Sequence, residues 1–356
     1  MPPPSPVHGR GAHSNASGRF EALVHESFDD GWTAEDGPAP KLATTLTPEH
    51  ARRIISRNDS PDIGFDRSIN PYRGCEHGCI YCFARPTHAY MGLSPGVDFE
   101  SKLFFKPQAA TLLEREFLRP AYHCEHIHIG ANTDPYQPVE RRLRVTRGIL
   151  EVMQRFRHPF SLITKNNLIT RDIDILAPMA AERLVSAALS VTTLDRKLAR
   201  AMEPRASTPE RRIDAIRQLA AAGVPVSIGF APVIPGLNDH ELEAVLERGA
   251  EAGATRAHFT VLRLPLEIKD LFREWLEAER PDRARRVMSL VRQMRGGKDY
   301  DPEWGKRMKG DGPLAELIAA RFRAAKKRFG LDRPREPLAV TRFERPLARG
   351  SQMSLF

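Results

Sequence analysis

The chain has 356 residues, enough to bury one large core plus an appendage. It is 41% hydrophobic and 28% charged, as globular proteins are, and no apolar run approaches the ~20 residues that span a bilayer. The net charge of +9 is uneven: from Pro265 onward 22 Lys and Arg stand against 14 Asp and Glu, so +8 of it lies in the last quarter. Such an excess attracts nucleic acid, or else decorates solvated faces with arginine.

Residues 1–58 are rich in Pro, Gly, Ser, His and acids, with little periodicity. They are expected to be mostly disordered, with short ordered pieces around 20–24 and 47–55. Thr47-Pro48-Glu49 offers a helix cap, a first-turn proline and an acidic N-terminus. The first residues lack the apolar core of a signal peptide. Of the four cysteines, three are packed in one loop, which is no disulfide framework. The expected compartment is the cytoplasm.

That loop reads Cys75-Glu-His-Gly-Cys79-Ile-Tyr-Cys82, a C-x3-C-x2-C spacing. Three thiolates can hold three irons of a cubane [4Fe–4S] cluster and leave the fourth iron open to another ligand, since full protein ligation takes four cysteines. Gly74 and Gly78 allow the loop to curl, and Arg73 and Arg85 bring positive charge to it. The alternative is structural zinc, which wants four closed ligands, usually as two separated pairs. Only His77, inside the loop, or Cys124, 42 residues beyond Cys82, would complete it.

From Arg67 strand and helix patterns alternate. Strands are expected at 68–72, 126–130, 161–164, 184–191, 224–231 and 257–262. Helices are expected at 107–118, 139–155, 171–181, 209–222 and 239–252. Six such units predict a parallel sheet, either doubly wound or a partial barrel, with ligands at the carboxyl ends of its strands. Polar motifs stand at those ends. After strand two come Asn132, Thr133 and Asp134, acceptors for an ammonium group; after strand three comes Lys165, a cation for a carboxylate. Strand four carries Ser190, suited to a ribose, and strand five ends in Ala231-Pro-Val-Ile-Pro235, an apolar bend.

The cysteine spacing, with Tyr81 just before the last thiol, resembles the radical S-adenosylmethionine enzymes. The order of motifs from about Arg67 to Leu264 is similar to their spore-photoproduct-lyase branch. The resemblance implies an α/β fold, a (β/α)6 partial TIM barrel over 59–264. It implies a [4Fe–4S] cluster on Cys75, Cys79 and Cys82, and S-adenosylmethionine cleaved to a 5′-deoxyadenosyl radical by an electron from an external donor. By the same resemblance Lys165 meets the cofactor carboxylate, Ser190 its ribose, Asn132, Thr133 and Asp134 its amino group, and Tyr81 its adenine. Two departures set the chain apart. The lyase has a cysteine at the carboxyl end of strand two, where Ala131-Asn132-Thr133 stands, and a tyrosine where Phe83 stands. Cys124 precedes that strand and is expected at the opposite end. A set of uncharacterised bacterial proteins shares the Asn70-Pro-Tyr-Arg-Gly-Cys75 and Thr133-Asp-Pro-Tyr-Gln137 strings.

Residues 265–345 are expected to form a basic helical extension, with helices at 266–278, 282–295 and 313–329. The loop between the last two carries Tyr300 and Trp304 among Lys298, Lys306, Arg307 and Lys309, which suits base stacking and phosphate binding or ordinary packing. Residues 346–356 are expected to be a flexible tail. Its end, Gln352-Met353-Ser354-Leu355-Phe356, resembles the pentapeptide with which repair and replication proteins dock on the bacterial sliding clamp. The leading expectation is a radical S-adenosylmethionine enzyme acting on a nucleic acid, in DNA repair. The alternatives are a non-catalytic iron–sulfur nucleic-acid-binding module, or the same enzyme class acting on a small molecule or protein.

Overall fold

The computed structural model describes residues 9–21, 42–334 and 336–346. In chain order its strands and helices are β1 (Thr45–Pro48), β2 (Ile55–Arg57), β3 (Arg67–Ile69), β4 (Tyr72–Arg73), α1 (Val97–Ser101), β5 (Lys102–Phe105) and α2 (Ala109–Phe117). Next come β6 (Ile127–Ile129), α3 (Glu140–Leu143), α4 (Val145–Arg155), β7 (Phe160–Thr164), α5 (Ile173–Ala181), β8 (Val185–Ser190), α6 (Arg196–Met202) and α7 (Pro209–Ala221). The last are β9 (Val226–Val233), α8 (Leu242–Glu251), β10 (Arg256–Val261), α9 (Ile268–Glu279), α10 (Ala284–Gln293) and α11 (Pro313–Arg328).

β3, β6, β7, β8, β9 and β10 lie side by side in chain order, each parallel to the next, and β2 pairs antiparallel on the outer edge of β3. The fold is thus mixed α/β around a parallel sheet, with no reversal of strand order at its middle. Its central strands are buried almost throughout, as parallel strands covered on both faces are. No helix among the described residues is long and apolar enough to cross a membrane.

A second, three-stranded sheet has the order β1-β5-β4. It explains two differences from the sequence expectations. The first strand ends at Ile69, and Tyr72–Arg73 joins the other sheet, because Pro71 has no N–H to continue the ladder. Thr47 starts no helix: it lies in β1, paired in parallel with Phe104, and the segment closes the small sheet. The helix expected at 139–155 is broken at Arg144, which adopts a left-handed φ of 52°. Glu140 accepts the N–H of Thr146 at 3.0 Å and so starts the second piece.

Residues 9–21 are packed, against the expectation for that stretch: Ala12 is buried beside Cys79, Ile80 and Tyr81. The reason is Glu100, whose carboxylate accepts the backbone N–H groups of Gly11 at 3.0 Å and Ala12 at 2.8 Å. Of the other piece expected, 20–24, residues 22–24 lie outside the described residues.

Behind the thiol loop, Trp275 of α9 is buried with Ile80, Leu198 and Met202 and donates to the Ala201 carbonyl at 3.2 Å. Ile318 and Phe322 of α11 belong to the same apolar cluster as Ile228 and Val245 of β9 and α8.

Candidate functional site

Gly74 and Gly78 both take left-handed backbone, φ 73° and 68°. A side chain on Gly74 would meet Leu103 at 2.6 Å and the Phe99 carbonyl at 2.9 Å. Glycine is required for this turn, and the turn sets Cys75, Cys79 and Cys82 in the wall of a cavity of about 600 Å³. Arg85 braces the loop from below. It donates to the carbonyls of Gly78 (3.0 Å), Cys79 (2.9 Å), Pro95 (3.0 Å) and Gly96 (2.9 Å), and pairs with Glu100. From the side, Gln137 accepts the Glu76 N–H at 2.8 Å and donates to the Gly74 carbonyl at 3.2 Å. Arg73 differs from expectation: its guanidinium turns to Glu49, at 2.9 and 3.0 Å, rather than to the thiols.

Tyr81, Asn132, Thr133, Asp134, Lys165 and Ser190 line the same cavity as the three thiols. Chain segments more than 100 residues apart meet there because all stand at one end of the parallel sheet. Several of these side chains are already committed. Thr133 donates to the Tyr72 carbonyl at 2.7 Å. Asp134 accepts from the Thr164 hydroxyl at 2.7 Å and the Lys165 N–H at 2.8 Å, and its carboxylate is 3.4 Å from His77. Asn132 uses its backbone N–H, donated to Asn70 at 2.8 Å, and its amide is uncommitted among the described residues.

The Lys165 ammonium donates to Ser190 Oγ at 2.6 Å and to the Ala231 carbonyl at 3.1 Å, and lies 5.6 Å from the centre of the Tyr81 ring. Beneath them is Glu203, fully buried, which accepts from Tyr81, Thr192 and Arg212 and is 3.6 Å from Lys165. Burial alone would raise its carboxyl, but the charges of Arg212 and Lys165 and the hydrogen bonds it accepts hold it down at about 2. On β10, His258 faces Gly229; a side chain on that glycine would meet the imidazole at 2.5 Å. Burial and the Lys165 charge hold His258 at about 4, so the ring is neutral near pH 7.

Burial pushes all three thiols up, and for Cys75 the Asp134 carboxylate and the other two sulfurs add to it. Buried thiols become ligating thiolates when a strong cation is beside them. Among the described residues, no three His, Cys, Asp or Glu converge as ligands of one metal ion do. The irons of a cubane sit at separate corners, and thiols spread along one cavity wall suit them. Cys124 does not line the cavity; it lies ahead of β6, near Arg67, as its sequence position predicts.

The loop 296–310 also reaches this cavity, through Arg307 and Met308. Arg307 pairs with Asp62 and donates to Ser60 at 2.5 Å, and the Gly305 N–H reaches Asp62 at 2.7 Å. Trp304 is exposed. Sequence reasoning missed Glu100, Gln137, Glu203, Arg212, His258 and Arg263. Of these, Gln137 stood in a singled-out run, Thr133-Asp-Pro-Tyr-Gln137, without being given a role; the others sit in positions no short motif marks. The pentapeptide from Gln352 to Phe356 lies outside the described residues.

A model of the radical SAM superfamily matches residues 69–249. An uncharacterized protein of Mycobacterium tuberculosis is 37% identical over 232 residues, 65% of this chain and 68% of that protein. One of Methanocaldococcus jannaschii is 27% identical over 173 residues, 49% of this chain and 62% of that protein. Among solved structures, a spore photoproduct lyase variant with bound AdoMet and dinucleoside spore photoproduct shares the fold. Its TM-score is 0.57 at 15% identity, covering 80% of this chain and 79% of that one.

Proposed function

The chain belongs to the radical S-adenosylmethionine superfamily, and from that premise we propose that this enzyme directs its radical chemistry at a nucleic acid, in DNA repair. The family uses a [4Fe–4S] cluster and S-adenosylmethionine. When bound, the pair supplies one-electron cleavage of the sulfonium and an adenosyl radical that abstracts hydrogen. The observation that carries the reading is one cavity lined by three thiols, two buried and one half-buried, by an Asn132 amide uncommitted among the described residues and by the tethered ammonium of Lys165.

We assign the cluster to Cys75, Cys79 and Cys82. Asn132, with Thr133 and Asp134 shaping its turn, would accept from the cofactor ammonium. Lys165, held by Ser190 and the Ala231 carbonyl, would meet the carboxylate, and Ser190 the ribose. Tyr81 has its hydroxyl engaged by Glu203 and offers its ring to the adenine. The six parallel strands are read as a (β/α)6 partial barrel over 59–264, with 265–345 as a basic extension and 346–356 as a tail for a sliding clamp.

The nucleic-acid half rests on the charge of the last quarter, on Trp304 exposed in a basic loop, and on the fold shared with a lyase bound to a dinucleoside lesion. The test is anaerobic turnover of reconstituted, reduced enzyme with damaged and undamaged DNA or RNA, followed by 5′-deoxyadenosine and product analysis. Cofactor cleavage accelerated by a damaged strand, with a new product, supports the reading. Cleavage indifferent to every nucleic acid removes it, and no S-adenosylmethionine binding at all favours a non-catalytic iron–sulfur module. One observation favours a small-molecule substrate: the Arg307–Asp62 pair fastens the basic loop into the cavity wall.

A further inference from the structure

Four cationic or acidic side chains of the cavity wall differ in what they touch. Asp134 is satisfied by the Thr164 hydroxyl and the Lys165 N–H, Lys165 is tethered to Ser190, and Arg307 is paired with Asp62. Arg263, just beyond β10, is different. Its Nε is buried with no hydrogen-bond partner. Its Nη1 has only the Met308 thioether, at 3.2 Å, and a thioether is a weak acceptor. No carboxylate lies within ion-pair distance of it among the described residues; Asp62, the acid near enough to feel its charge, is taken by Arg307 and the Gly305 N–H.

A half-buried guanidinium with an orphaned N–H is costly unless an anion arrives to take it. Its surroundings say what kind of anion. The guanidinium stands 5.1 Å from the centre of the Phe83 ring, and that ring lines the same cavity. Phe65, also in the wall, is stacked on His128 at 4.3 Å. Arginine forks match phosphate oxygens in pairs, and aromatic faces accept a base of any identity.

We propose that Arg263 is the receptor for a substrate phosphate, and that Phe83 and Phe65 are the aromatic walls for the base beside it. The substrate class is a nucleotide with its backbone phosphate, entering the part of the cavity walled by Arg263, Phe83 and Phe65. This rests on the nucleic-acid reading above and adds to it the group that selects charge.

The test uses the full chain, anaerobically reconstituted. Binding is measured for a dithymidine monophosphate, for its uncharged methylphosphonate analogue, for thymidine monophosphate and for pyrophosphate. In the unaltered protein the charged dinucleotide should bind about tenfold or more tightly than the methylphosphonate, and the preference should shrink with salt. Arg263→Met should abolish the preference, while Arg263→Lys keeps part of it, and iron content should be the same in all three proteins. Since the two dinucleotides are compared on the unaltered protein, a variant that fails to fold leaves the test standing. Equal binding of charged and neutral dinucleotides overturns the role of Arg263 and leaves the nucleic-acid reading intact. Arg263-dependent binding of pyrophosphate, with no binding of either dinucleotide, keeps the anion receptor and removes the nucleic acid. Thymidine monophosphate bound as tightly as the dinucleotide identifies a free nucleotide rather than a strand.

Discussion

Arg85 and Glu100 form an ion pair with both side chains wholly buried, directly beneath the loop that carries the three thiols. The arginine ties four carbonyls of that loop and its flank, and the carboxylate ties the N-terminal residues Gly11 and Ala12 to the same point. Removing one partner leaves an uncompensated buried charge, which costs about 3–5 kcal/mol. Glu100→Gln should lower the melting temperature by several degrees and reduce the iron retained per chain. Unchanged iron and unchanged melting would show that the pair does not hold the loop.

Anaerobic reconstitution should give about four irons per chain. Cys79→Ala should lose the cluster absorbance, while Cys124→Ala, outside the cavity, should keep both iron and 5′-deoxyadenosine formation. Loss of turnover in an iron-replete Cys124→Ala protein would contradict the placement of that thiol, and tightly bound zinc without iron would contradict the cluster.

Lys165→Met should weaken S-adenosylmethionine binding about tenfold or more by removing a charge-assisted contact to the carboxylate. Iron content should stay at the level of the unaltered protein, since the ammonium touches Ser190 and Ala231 rather than a thiol. Calorimetry on the iron-replete variant decides it.

Glu203 sets an acid limit. Its folded value of about 2 lies below the ordinary carboxylate value of 4.5. The unfolded chain therefore takes up the proton first, and stability from this group is present above pH 4.5 and lost as pH falls toward 2. The contribution is on the order of 3 kcal/mol. Urea midpoints measured across that window should fall, and Glu203→Gln should be less stable at pH 7 with a shallower acid slope. A slope identical in the two proteins would place the acid sensitivity elsewhere.

A peptide spanning Ala348 to Phe356 should bind the organism's sliding clamp at micromolar affinity, a range common for short segments that order on binding. Gln352→Ala and Phe356→Ala should each weaken it in calorimetry. Binding indifferent to both substitutions would remove the clamp as a partner.

Local signals in the chain carried much of the fold and the choice of residues. Alternating strand and helix periods located all six parallel strands to within a few residues, because half-buried strands and amphipathic helices must repeat at fixed spacings. The C-x3-C-x2-C spacing singled out the three thiols, and polar residues at or after strand ends singled out Asn132, Lys165 and Ser190, all written in short runs and all found lining one cavity. Tertiary structure decided what no short run contains. Glu100 satisfies Arg85 from 15 residues away and Ala12 from 88, so a stretch that is polar and aperiodic in sequence becomes ordered through one distant carboxylate. Glu203, just after α6, and Arg212, inside α7, carry no signal in the sequence that pairs them; burial joins them under Tyr81. Asp134 and Thr133 read as free acceptors, but the folded turn uses their side chains itself. Arg263 and Phe83 are 180 positions apart, and only the folded chain puts the guanidinium over the ring in the wall of one cavity. Pattern is local because periodicity is a property of the backbone; pairing of charge is not, because a buried ion takes whichever partner the fold brings within reach.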